Sequence, residues 1–250
     1  MKASGTRLRE TDPIRTHQQA PQQSLLFRLV AFLAHLQMDY LLRCTSHRRG
    51  VAMAFVFLEG AVALGIISTA AYLTRFPLLF PPLGPSAFIL FRTPMSPRAC
   101  PRTVILAHTL AVASGWLSVQ LFSLIFPEAG LLDDPSLNWP RIAALSLSMG
   151  LSSASMIALG CSHPPAAASA LIVSMGYMSN MLQIVGLLLA VVLLVAHAFV
   201  FNRLLGGLPY PLWRSDPKSL QRFGALAGVS DQRSTYWGEL ATRIFDRRSA

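Results

Sequence analysis

The chain has 250 residues, 53% hydrophobic and only 13% charged, with a mean hydropathy of +0.48. A soluble domain carries about 25% charged residues, so these values exclude one and indicate an integral membrane protein whose main partner is the lipid bilayer. The net charge of +10 lies almost wholly outside the apolar blocks, which fits contact with anionic lipid rather than nucleic acid.

Residues 1–23 are polar, mixed in charge and without the apolar core of a signal peptide, so they read as a disordered cytosolic leader. Residues 24–43, "SLLFRLVAFLAHLQMDYLLR", are rich in apolar positions but interrupted by Arg28, His35, Gln37 and Asp39. They predict an amphipathic helix at the membrane interface, and with the basic "SHRRG" they form a unit over 24–50. Four blocks follow that are long enough to cross the bilayer: 51–73, 103–126, 142–161 and 181–201. A membrane domain over 51–202 is the expectation, followed by a basic cytosolic tail over 203–250.

Two proline-rich stretches interrupt this pattern. "FPPLGPSAFILF" (80–91) lies between the first two blocks, and "SHPPAAASALIV" (162–173) between the last two. They superpose without a gap at an offset of 83 residues, matching Pro81 to Pro164, Pro82 to Pro165, Ser86 to Ser169, Ala87 to Ala170 and Ile89 to Ile172. The chain therefore reads as two copies of span, broken segment, span.

Basic residues set the topology. Eight Lys or Arg precede residue 51, eight more begin at Arg203, and the connection after the first broken segment holds Arg92, Arg98 and Arg102. All three regions belong in the cytosol, whereas "PEAGLLDDPSLNWP" carries Glu128, Asp133 and Asp134 and belongs outside. If 51–73 runs outward, the first broken segment must cross back, and the second must cross in the opposite sense. The expected fold is an all-α polytopic bundle of six crossings built from two inverted repeats. The alternative is four spans with two re-entrant segments. Both termini are expected in the cytosol of a bacterial-type inner membrane.

A double proline cannot occupy a helix interior, but proline is favoured at a helix start. Short helices are expected to begin near Gly84 or Pro85 and near Pro165. A helix start presents unpaired N–H groups and partial positive charge, so two starts aimed at the membrane's middle predict an anion site. The candidate binding residues are Gly84, Ser86, His163, Pro165 and Ser169. Glu59, the formal charge within the first span, and His108, within the second, are candidate proton carriers. Pairing of Glu59 with His108 is one expectation; His197 and Gln183 are expected near the interface. Small residues spaced by four (Ala107, Ala111, Gly115; and Ser146, Gly150, Ala154, Ala158) predict close helix packing within the protomer, with dimer contact as the other reading. Cys44, Cys100 and Cys161 lack metal-type spacing and read as reduced thiols. No metal or cofactor is expected. No zinc-protease pair, serine–base motif or nucleotide loop points to an enzyme.

"FPPLGPSAFILF…SPRACPR", His108 in "ILAHTL", and above all "HPPAAASAL" at 163–171 resemble the HPP family of integral membrane proteins. The likeness covers roughly residues 50–202, with departures at Pro85 and at Ala166 or Ala167. The resemblance implies a domain usually described with four membrane helices, and a transport role. Plant and cyanobacterial relatives are associated with nitrite movement. The expected function is thus transport of a small inorganic anion, nitrite being suggested by the relatives. A non-transporting scaffold or sensor that recruits a partner through its tail is the rival, and homo-oligomers are compatible with either.

Overall fold

The computed structural model describes residues 47–178 and 180–215, together with Gln37, Met38, Leu41, Lys218 and 224–227. The leader, most of the interfacial segment, Cys44 and most of the tail lie outside the described residues. Among the described residues the fold is all-helical. Six α-helices follow in order: α1 (Arg48–Thr74), α2 (Leu83–Arg92), α3 (Pro101–Ile125), α4 (Trp139–Ala158), α5 (Ala166–Ser174) and α6 (Met181–Leu204). Four of them, α1, α3, α4 and α6, are long and apolar enough to cross a membrane. Their outer faces are apolar as well: Phe57 is 77% and Leu124 79% exposed, as suits side chains facing lipid.

The two short helices start just past their double prolines, at Leu83 and Ala166, within a residue or two of the expected positions. Proline locks φ near −65°, a value that suits a helix entry, and the turns form accordingly. The Leu83 and Gly84 amides donate to the Phe80 and Pro81 carbonyls, and the Ala166 and Ala167 amides to those of His163 and Pro164. This pattern repeats at the offset of 83 seen in the sequence.

Helix packing repeats in the same way. α1 packs on α2 as α4 packs on α5; α2 on α6 as α5 on α3; α1 on α6 as α4 on α3; and α3 packs on α6. Exchanging the first three helices for the last three maps this set of pairs onto itself.

Two contacts fix the direction of the first broken segment. The Pro77 carbonyl lies where a Cβ on Gly186, near the start of α6, would sit. The Asn202 side-chain amide, near the end of α6, donates to the Leu90 carbonyl at 3.2 Å. The stretch 77–90 therefore runs alongside α6 from its start towards its end. The second segment runs back along α4: Arg141, at the start of α4, donates to the Ser174 carbonyl at the end of α5 (3.0 Å).

Arg141 is buried and satisfied by carbonyls alone. Besides Ser174 it donates to Ser136 (3.1 Å), Leu131 (2.6 Å) and Asp134 (2.7 Å). It ties the 127–138 loop to the end of α5. Gly176, at φ +84, packs directly against its guanidinium.

The two small-residue stripes differ in fate. Ala107, Ala111 and Gly115 are buried, and a Cβ on Gly115 would lie 2.7 Å from the Ala170 carbonyl, so α3 and α5 approach closely there. Ser146, Gly150, Ala154 and Ala158 are exposed, contrary to the expectation that they pack within the protomer. α4 instead turns inward a second row at the same spacing, Ala144, Ser148, Ser152 and Met156, and a spacing of four does not say which row is inside.

Candidate functional site

The starts of α2 and α5 meet around one histidine. Ser86 and Ser169 occupy the same place, the fourth residue of their helices. The Ser86 Oγ lies 3.0 Å from Nε2 of His108, and the Ser169 Oγ lies 2.7 Å from its Nδ1. His108 is carried by α3, within the close approach that Ala107, Ala111 and Gly115 permit.

His163 joins from the turn before α5. Its Nε2 is 3.1 Å from the Ser86 Oγ, and its Nδ1 is 2.8 Å from the Arg98 carbonyl. The two imidazoles lie with centroids 5.4 Å apart. All four side chains are fully buried. Beside the cluster opens a groove of about 650 Å³, lined by Thr93, Ser96, Arg98, Thr103 and Ser162 among others. His163 thus connects the cluster to the groove wall, through Ser162 in the chain and through Arg98 in space.

Among the sequence candidates, Ser86, Ser169, His163 and His108 are brought together. Gly84 and Pro165 lie at the two helix entries, but the first-turn amides are occupied. Those of Leu83, Gly84 and Ser86 donate to Phe80, Pro81 and Pro82, and those of Ala166, Ala167 and Ala168 to His163, Pro164 and Pro165. In this conformation the groups that face one another across the site are side chains.

Glu59 is elsewhere, and its expected pairing with His108 is not formed. Its Oε2 lies 3.4 Å from Nε2 of His197, on α6. Glu59 is buried, and the His197 side chain is only 7% exposed, so His197 faces the interior of the bundle. Its ring stacks on Phe201 at 4.1 Å and meets Phe91 edge-on at 5.8 Å. Gln183 does lie at a helix end, where it completes the cap of α6 with Asn180. Among the described residues no group of three His, Cys, Asp or Glu side chains could hold a metal ion.

The stretch after α6 closes over the same region. The Tyr210 hydroxyl donates to the Ala99 carbonyl, next in the chain to the Arg98 carbonyl that holds His163.

The family model for the HPP transmembrane region matches residues 45–211, about two-thirds of the chain and every helix described above. The chain belongs to the HPP family of membrane proteins. No curated protein and no solved structure matches it. The His-Pro-Pro triplet of this HPP protein is the hinge of its site: His163 reaches the cluster, and Pro164 and Pro165 start the helix that delivers Ser169. Arg141 escaped the sequence reading, and the partnership of His197 with Glu59 was missed. The available signals were a lone arginine at the start of an apolar block and a histidine within the last apolar block.

Proposed function

We propose that this HPP protein is a transporter or channel for a small inorganic anion, with nitrite the first candidate from its resemblance to plant and cyanobacterial relatives. The observation that carries the reading is the joining of Ser86 and Ser169, from two related helix starts, through one buried histidine. Hydroxyl and imidazole N–H groups are suitable partners for an anion inside a membrane domain, and two helix N-termini add partial positive charge. The substrate contacts in this reading are Ser86, His108, His163 and Ser169, near the entries at Gly84 and Pro165.

The exchange symmetry of the packing supports two inverted repeats. The course of 77–90 along α6 and the return of α5 along α4 support six passages rather than four. The basic connection at Arg92, Arg98 and Arg102 supports a cytosolic groove and cytosolic termini in an inner membrane. Of the two sequence candidates for coupling protons, Glu59, beside His197, keeps that role in this reading, while His108 is the ring that holds the two serines.

Purified protein in liposomes, loaded with nitrite or nitrate, tests the reading. Wild type is expected to conduct, and His163→Ala to lose at least tenfold of that flux. Glu59→Gln is expected to change its pH dependence. Absence of flux in wild type overturns the anion assignment. Unchanged flux and pH dependence in both variants overturn the residue roles.

A further inference from the structure

The hydrogen-bond directions in the buried cluster can be worked out from one end. The Arg98 carbonyl can only accept, so Nδ1 of His163 carries a hydrogen. A neutral His163 then presents a bare Nε2, which accepts from the Ser86 hydroxyl. Ser86 has a single hydrogen and has now used it. Its oxygen must therefore accept from Nε2–H of His108. A neutral His108 is left with a bare Nδ1, which accepts from the Ser169 hydroxyl. The neutral state has one arrangement that satisfies all four ring nitrogens, running from Ser169 through His108, Ser86 and His163 to Arg98.

Ser86 has a third partner. Its Oγ also lies 2.9 Å from the Pro82 carbonyl. If the Ser86 hydrogen turns to Pro82, its oxygen can accept from both imidazoles at once. That arrangement requires a hydrogen on Nε2 of His163 as well as on Nδ1, which is an imidazolium. In the neutral arrangement the Pro82 carbonyl still accepts from the Ser86 amide at 3.3 Å, so nothing is orphaned. Both protonation states are thus fully hydrogen-bonded around the same heavy-atom positions. They differ by one proton and the rotation of one hydroxyl.

We propose that His163 is a proton-binding site within the membrane domain, with Ser86 as the positioning residue whose hydroxyl switches between Nε2 of His163 and the Pro82 carbonyl. The proton adds to the Nε2 lone pair, no other bond breaks, and the site gains one positive charge. If the transport reading above also holds, this charge is the anion's partner and the proton is the coupled ion.

The surroundings suit a single titrating site. α2 brings one ionisable side chain, Arg92, at its exposed end, and α5 brings none. α3 brings His108 itself and Arg102, whose guanidinium lies over Trp213 at 5.6 Å. The linker brings Arg98, which lines the groove, and the turn before α5 brings the buried thiol of Cys161. The Tyr210 hydroxyl is engaged by the neighbouring carbonyl of Ala99.

The test is ¹⁵N NMR of histidine-labelled protein in lipid bilayers, with His163 assigned by comparison with His163→Asn. At high pH the expected tautomers are Nδ1–H for His163 and Nε2–H for His108. On acidification His163 should become the imidazolium while His108 stays neutral. The opposite tautomer at His163, earlier titration of His108, or a His163 that stays neutral throughout the folded range overturns the proposal. Ser86→Ala should shift the His163 titration by a tenfold or greater change in proton affinity, and Ser86→Thr, which keeps the hydroxyl, should restore it. Liposomes carrying a pH dye separate the two readings. Anion flux with no proton uptake, together with a neutral His163, sinks the proton site and leaves the anion reading standing. A titrating His163 without anion flux supports the site and sinks the anion reading.

Discussion

Ser86 and Ser169 bind opposite nitrogens of His108, although 83 residues separate them in the chain. Each is the fourth residue of a short helix, and each helix begins at a double proline. A serine at that depth of a helix reaches a common partner only if the two starts approach each other. The shared histidine is thus the point where the two related segments meet, and its loss should be felt by both. Replacing His108 with Ala opens a cavity, strands the buried Ser169 hydroxyl and removes one of the partners of Ser86. The expected cost is about 3 kcal/mol, read as a lowered thermal midpoint in detergent. An unchanged midpoint would contradict the central role of the ring.

How the chain passes through the membrane is open to direct test. Cys100 and Cys161 are buried, so neither is a suitable reporter. In a background lacking native cysteines, Arg75→Cys and Tyr177→Cys should react with an impermeant maleimide from one side. Arg98→Cys should react from the other side if, as proposed, the chain makes six passages. Labelling of Arg75→Cys and Arg98→Cys from the same side would favour re-entrant segments.

The long spans were legible in the sequence because a run of about 20 apolar residues has few other uses. The helix starts were legible because proline restricts the backbone locally, whatever surrounds it. Ser86 and Ser169 could be found by aligning the two segments. What could not be read was the choice of partner. Glu59 and His108 are both ionisable residues inside spans, yet the rotation of α1 and α6 gives Glu59 to His197. The first-turn amides looked available, but turns back to Phe80 and His163 occupy them. The stripe at Ser146 looked like a packing face, while α4 presents Ala144 and Ser148 inward at the same spacing.

Arg141 illustrates the same limit and supplies a prediction. Four carbonyls, from Leu131, Asp134, Ser136 and Ser174, converge on its guanidinium, and no sequence pattern announces them. Lysine offers a point charge in place of a planar fork and cannot reach all four. Arg141→Lys should cost roughly 2 kcal/mol and Arg141→Ala about 3 kcal/mol, with faster proteolysis of the 127–138 loop in both. Equal stability and equal proteolysis in Arg141→Ala would show that the loop is held by something else.

Two glycines separate packing from helix propensity. A Cβ on Gly115 would meet the Ala170 carbonyl at 2.7 Å and the Val173 Cβ at 2.9 Å, whereas Gly150 has nothing within 4 Å. Gly115→Ala should therefore destabilise by about 1–3 kcal/mol and disturb the α5 start that carries Ser169. Gly150→Ala should be neutral or stabilising by up to about 1 kcal/mol. The thermal midpoints of the two variants should move in opposite directions or differ by several degrees.

Tyr210 gives a pH-dependent prediction. Burial first, and then the nearby Cys100, push its phenol above the ordinary value of 10. The unfolded chain releases this proton near the ordinary value, while the folded chain holds it. The contribution to stability is therefore complete below about pH 10 and declines as pH rises past it. Tyr210→Phe removes the ionisable group and leaves the Ala99 carbonyl without its donor. The variant should be less stable than wild type by about 1 kcal/mol at neutral pH. Above pH 10 the gap should narrow, because only wild type loses this contribution. Thermal midpoints of both proteins, measured in one detergent between about pH 7 and 11, test the sign. A gap that stays constant or widens with pH would show that the phenol is not held as the Ala99 bond requires.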